Sequence, residues 1–135
     1  MLLVIDANIV FSMIINLMGK TRELLFRKEI SLVAPEHLKQ EIEEHREEIK
    51  EKSGLSETDF EIAIALILSP IRLVPYSEFA GFISSAKKSC PDPEDIAYFA
   101  VALALNCPIW SNDKILQKQD SVKVLSTSEI LQLFP

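Results

Sequence analysis

Five short apolar runs, Leu2–Ile5, Ile30–Ala34, Ile71–Val74, Pro108–Trp110 and Val122–Leu125, punctuate the chain, and the stretches between them carry helical patterns. Continuous apolar runs of this length suit strands buried on both faces. Strands separated by helices pair in parallel, each connection crossing one face of the sheet. An α/β domain with a mainly parallel sheet of roughly five strands is therefore expected, and no internal repeat competes with it.

The intervening segments supply the covering helices. Ile9, Val10, Met13, Ile14 and Leu17 recur at helical spacing over Ala7–Met18, with Gly19 as a stop. Thr21 is expected to cap a short helix reaching Lys28, and Pro35 to begin a charged helix running to about Lys52. Ser56 opens a helix through Leu68, Pro75–Ser89 reads as a further helix, and Ile96–Leu105 and Ser126–Phe134 as the last two. With 135 residues, one domain (1–135) is expected, long enough to bury a core without disulfides or structural zinc.

Charge and cysteine usage narrow the function. The formal charge of −6 has the wrong sign for holding nucleic acid by counterion release alone, so any such role must be local. Cys90 and Cys107 are too few and too far apart for a zinc framework, and no basic-then-apolar signal opens the chain, so a reduced, cytoplasmic protein is expected. The apolar run Ile62–Leu68 falls well short of the roughly 20 residues that cross a bilayer.

The acids are where chemistry is expected. In an open parallel sheet, ligands sit beyond the carboxyl ends of the strands. Of six aspartates, Asp6 ends the first strand, Asp113 lies just past the fourth, and Asp92 and Asp95 open the helix before that strand. Glu41, on the helix after the second strand, can project toward this cluster or into solvent, and it shares a face with His37, Leu38 and His45. Carboxylates converging without basic partners repel one another, and a hard divalent cation resolves the repulsion. Magnesium suits an all-oxygen set and can prepare water for attack on a phosphodiester. No glycine-rich phosphate loop, GxSxG or HExxH pattern offers a competing chemistry.

These residues resemble the PIN-domain family: an apolar strand ending in Asp6 with Asn8 two on, a helix acid at Glu41, the stretch from Asp92 through Asp95 into Ile-Ala-Tyr-Phe-Ala-Val-Ala-Leu, and Pro108-Ile-Trp-Ser-Asn-Asp113-Lys. The resemblance spans the whole chain. It implies a three-layer α/β/α fold and a magnesium- or manganese-dependent ribonuclease cutting single-stranded RNA, often the toxin of a VapBC toxin–antitoxin pair. On this resemblance Asp6, Glu41, Asp95 and Asp113 are the catalytic acids, with Asp6, Asp95 and Asp113 on the metal. Ser111, Asn8 and Asp92 support them. The family's pattern often places a further acid where this chain has Ile115, and Glu43 and Glu44 lie in the same helix as Glu41. An antitoxin and a second copy of the chain are the implied protein partners.

Simpler roles stand beside these. Asp92 can cap the helix, with Pro93 at its first position and Asp95 completing a capping box. His37, Glu41 and His45 form a ridge that can bind a transition metal or simply face solvent. Lys87, Lys88 and Lys114 flank the acidic loops and can hold a phosphate backbone or act as ordinary surface lysines. Two rival functions remain: a PIN-like module that binds a partner without catalysis, and a receiver or phosphatase of similar sheet architecture. The receiver is disfavoured because Asp6 stands alone in its segment and the second strand ends Val33-Ala34-Pro35 without an acid. Apolar Ile9–Met18 and Phe60–Leu68 exceed what one small sheet needs for cover, which predicts a homodimer.

Overall fold

A computed structural model describes residues 1–135. Strand β1 (Leu2–Ile5) is followed by α1 (Ala7–Ile15), β2 (Ser31–Pro35), α2 (Leu38–Glu44), α3 (Arg46–Ser53), α4 (Glu57–Leu68) and β3 (Ile71–Val74). Then come α5 (Tyr76–Phe79), α6 (Ile83–Ser89), α7 (Ile96–Leu105), β4 (Ile109–Trp110), β5 (Val124–Leu125) and α8 (Thr127–Leu133). The strands form one sheet in the order β3-β2-β1-β4-β5, and every pairing is parallel. Helix α1 packs with α2, α3 and α4, whereas α7 packs with α5, α6 and the strands β1, β2 and β4. The result is the expected three-layer α/β/α arrangement.

Order follows from burial. Leu3, Val4 and Ile5 of β1 are fully buried, as a strand covered on both faces by helices must be. One continuous cluster of buried side chains joins the sheet to helices on both of its faces, including Ile14, Ile42, Phe60 and Phe99. Trp110 is buried at the end of β4, and its indole N–H donates to Thr127 Oγ1 at 2.9 Å, so this large polar-tipped ring keeps a partner in the core. The ends of helices are written locally: Ser56 caps α4 by accepting from the Asp59 amide, and Ser126 with Glu129 forms a complete capping box on α8. Gly54 closes α3 at φ 70°, a left-handed conformation that glycine adopts without steric penalty.

Three expected helices are reshaped. Pro35 does not begin a helix but ends β2, paired with Val74, where its missing N–H removes no bond that the strand end needs; α2 starts at Leu38. The long charged helix is broken at His45, whose imidazole Nδ1 lies 3.0 Å from the Glu41 carbonyl and intrudes on the helical ladder there. The Pro75–Ser89 helix is interrupted by a 3₁₀ turn at Ala80–Phe82 that contains Gly81, a poor helix former. Thr21 makes no cap; Lys20–Phe26 is a 3₁₀ helix instead.

Phe99 is fully buried on α7, the helix that packs against three strands. Phe99→Ala should lower unfolding stability by about 3–5 kcal/mol through lost burial and an unfilled cavity, measured by urea denaturation.

Candidate active site

The strand order reverses its direction of growth at β1: the chain adds β2 and β3 on one side, then returns to place β4 and β5 on the other. Connections diverge at the carboxyl ends of β1 and β4, leaving a mouth between them. Asp6 stands at the end of β1, and Ser111 and Asp113 follow β4. The Asp6 amide donates to the Trp110 carbonyl at 3.0 Å, so the backbone itself fixes the two strand ends side by side.

Asp6 is 4% exposed and Ser111 not at all. A buried carboxylate needs donors, and two are supplied. The Ser111 hydroxyl donates to Asp6 Oδ2 at 2.7 Å, and the Asn8 amide, in the first turn of α1, reaches Oδ1 at 3.4 Å. Ser111 Oγ in turn accepts from the Asp113 amide at 3.1 Å, so one hydroxyl links the two aspartate segments. Asn8 therefore supports Asp6 through its backbone, its side chain being exposed. Asp113 is half-buried, and its Oδ1 accepts from the Ile115 amide at 2.9 Å, a local turn that holds the carboxyl in place.

Asp95 reaches the mouth from the start of α7. Its carboxyl caps nothing: Asp92 is the cap, accepting from the Glu94 amide at 3.0 Å, and Pro93 takes the first position of a 3₁₀ turn. Asp92 thus takes the structural role open to it, and the expected capping box with Asp95 does not form. Freed from that duty, the Asp95 carboxyl is half-buried and sits in the field of Asp6, Asp92, Asp113 and Glu41; burial and those charges push it up to about 7. Burial also raises the Asp6 carboxyl, the Ser111 and Asn8 donors pull it back, and Asp113 and Glu41 add to the rise.

Glu41 enters from the opposite layer. It is the partly buried acid of α2, whereas Glu43 and Glu44 are exposed and point elsewhere, with Glu43 paired to Arg46. Its Oε1 accepts from the Tyr98 hydroxyl at 2.7 Å and lies 2.9 Å from His37 Nε2. The hydrogen bond to Glu41 raises His37 above its ordinary value, and burial followed by the Glu41 charge raises the Tyr98 phenol. His45 does not join them: it turns to the Glu41 carbonyl and packs on Phe11 with ring centroids 5.2 Å apart, so the helical ridge forms no transition-metal site. The sequence pattern does not mark Tyr98 as part of the site, because it lies within an otherwise apolar helix. The available signal was that it is the only polar side chain between Ile96 and Leu105 and lies three residues, one helical turn, past Asp95.

No three His, Cys, Asp or Glu side chains stand close enough to form a ready-made metal cage. The donor chemistry nevertheless fits magnesium or manganese: burial and the charges of neighbouring carboxylates raise the Asp6 and Asp95 carboxyls, and a hard cation that keeps several waters needs few direct protein ligands. Lys87 and Lys88, in the last turn of α6, and Lys114, beside Asp113, are all exposed. Cys90 and Cys107 are half-buried free thiols, both raised by burial.

A family model described as a PIN domain matches residues 4–134. Among solved structures, a chain in the crystal structure of VapBC2 from Rickettsia felis bound to a DNA fragment from its promoter superposes with a TM-score of 0.69 at 14% identity, over 93% of this chain and 98% of that one. No curated protein matches the sequence.

The raised Asp95 acid has a consequence for stability. Its folded-state value near 7 lies above the ordinary 3.8, so between these pH values the folded metal-free protein keeps a proton that the unfolded chain has released. Stability therefore falls as pH rises through that window. Asp95→Asn should make this fall shallower, the raised Asp6 carboxyl and His37 still contributing to it, and stabilise the metal-free protein at pH 8 by about 1–2 kcal/mol, allowing for solvent screening at a half-exposed group, as read from urea unfolding at pH 4 and pH 8.

Proposed function

The chain belongs to the PIN-domain family, and from that premise we propose that it is a metal-dependent ribonuclease that hydrolyses single-stranded RNA, acting as the toxin of a toxin–antitoxin pair. The observation that carries the reading is the convergence of Asp6, Asp95, Asp113 and Glu41 on one mouth, where, beyond the effect of burial, Asp113 and Glu41 raise both Asp6 and Asp95 and Asp6 raises Asp95. Family membership supports nuclease chemistry, and the similarity to a chain of a VapBC complex supports an antitoxin partner.

In this reading the Asp6, Asp95 and Asp113 carboxylates hold magnesium or manganese, directly or through water. When bound there, the ion would supply positive charge to offset the negative charge of the phosphodiester and of its transition state. Asp6 is held by Ser111 and the Asn8 amide, so its oxygens are ordered before any ligand arrives. Glu41 would orient the water that attacks phosphorus and take up its proton, as the P–O bond to the leaving ribose oxygen breaks and that oxygen takes a proton from solvent. Lys87, Lys88 and Lys114, exposed around the acidic loops, contact the RNA backbone. Asp92 acts through the loop it caps, setting where α7 begins and hence where Asp95 stands.

Protein partners find their surface elsewhere. Leu17, Phe26, Leu55, Ile62 and Leu66 line an open apolar groove of about 690 Å³ between α4 and the Lys20–Phe26 turn. Phe26, Ile62 and Leu66 are each more than half exposed there, and Met18 nearby is 89% exposed. This surface supports burial in a homodimer, with the antitoxin as a further partner. No helix is long and apolar enough to cross a membrane.

Purified protein should cleave single-stranded RNA when manganese is added and lose cleavage with a chelator, and Asp6→Asn should reduce the rate by about 100-fold or more. Equal rates for Asp6→Asn and wild type would remove the site from the reaction. Light scattering at high concentration should give the mass of a dimer for wild type and of a monomer for the double variant Ile62→Glu, Leu66→Glu.

A further inference from the structure

Glu41 carries an asymmetry that the proposed reaction does not by itself require. Both of its side-chain partners, Tyr98 and His37, engage the same oxygen, Oε1, while Oε2 has no hydrogen bond from the protein. Tyr98 is 2% exposed, so its hydroxyl has no water to turn to, and Glu41 Oε1 is its partner. The ring of His37 lies edge-on to that of Tyr98, with centroids 5.8 Å apart, which fixes the two donors relative to one another. The residues come from different layers: Glu41 and His37 belong to α2 and its N-terminal end, Tyr98 to α7, beside Asp95. A glutamate has three rotatable side-chain bonds, and an exposed one samples many rotamers; two donors on one oxygen remove most of that freedom and leave the other oxygen directed away from them.

We propose that Tyr98 is a positioning residue for hydrolysis: its hydroxyl, together with His37 Nε2, pins Oε1 of Glu41 and thereby presents Oε2 to the acidic mouth. The inference rests on the ribonuclease reading above and adds to it a residue outside the acidic set. Glu41 acts on the attacking water through Oε2, and Tyr98 touches neither RNA nor metal. The bond also couples the two helical layers, because the residue next to the Asp95 turn holds the acid of the opposite helix.

The test is Tyr98→Phe, which keeps the buried ring and its contact with His37 and deletes one hydroxyl. With a manganese-loaded enzyme and a single-stranded RNA oligonucleotide, kcat should fall about 10- to 100-fold while KM stays within about twofold. Tyr98→Phe in a Glu41→Gln background should cause no further loss, because the hydroxyl acts only through Glu41. A readout independent of activity comes from proton NMR of the metal-free protein. The buried Tyr98 hydroxyl should give a slowly exchanging downfield resonance that is absent in Tyr98→Phe and shifts in Glu41→Gln. Undiminished kcat in Tyr98→Phe, a loss that adds to that of Glu41→Gln, or a raised KM at unchanged kcat would each overturn the proposal while leaving the ribonuclease reading intact. Absence of manganese-dependent cleavage by wild type would overturn both, and a hydroxyl resonance indifferent to Glu41→Gln would overturn the contact itself.

Discussion

A carboxylate held almost out of water at the end of the central strand sets the terms for the structure around it. Asp6 cannot be left there without donors, and the two it receives come from very different distances in the sequence: the Asn8 backbone amide from the helix that follows it, and the Ser111 hydroxyl from just past β4, 105 residues away. The second of these exists only because β4 returns to pair beside β1. The long crossover from β3 back to β4 therefore accomplishes two things at once. It completes the sheet, and it delivers the hydroxyl that makes the buried acid tolerable.

Around that centre the molecule holds charge in an arrangement that folding alone would avoid. Asp95, Asp113 and Glu41 stand near Asp6 without a lysine or arginine to neutralise them, and burial first, with the neighbouring carboxylate charges adding to it, raises the proton affinities of Asp6 and Asp95. The bases of the same chain are spent elsewhere: Arg46 gathers Glu43, Glu57 and Glu61 while lying over the Phe60 ring, and Lys50 and Lys52 pair with Glu57 and Glu48. The acidic outer helices are thus partly compensated by their own bases, whereas the aspartates of the mouth have no lysine or arginine partner. That contrast locates function better than net charge does, because a total of −6 averages over both regions.

Much of the fold was legible because it is encoded over a few residues. The strands Leu2–Ile5 and Ile71–Val74 and the helix Ile96–Leu105 coincide with their apolar runs, and Ser56 and Ser126 start helices where capping chemistry says they should. Asp92 as a cap was legible for the same reason. What escaped was non-local. His45 breaks a helix that composition alone would continue, and Pro35 is drawn into the sheet by its pairing opposite Val74. In both cases the deciding partner is a backbone group, whose position no residue type announces.

The same division holds for the site. Sequence alone determined that acids would collect at the carboxyl ends of parallel strands, since Asp6 and Asp113 are tied to strand ends by their place in the chain and Asp95 to a helix start. Only the tertiary structure decided which acid of the charged helix turns inward and what holds it. Glu41, Glu43 and Glu44 are alike as residues; Glu41 is distinguished by a bond to Tyr98 that spans 57 positions and joins two layers. Periodicity reports which face of a helix is apolar, but it carries no information on which buried hydroxyl from another helix will meet a given carboxylate. That meeting is a property of packing, and it exists only when both layers have closed on the sheet.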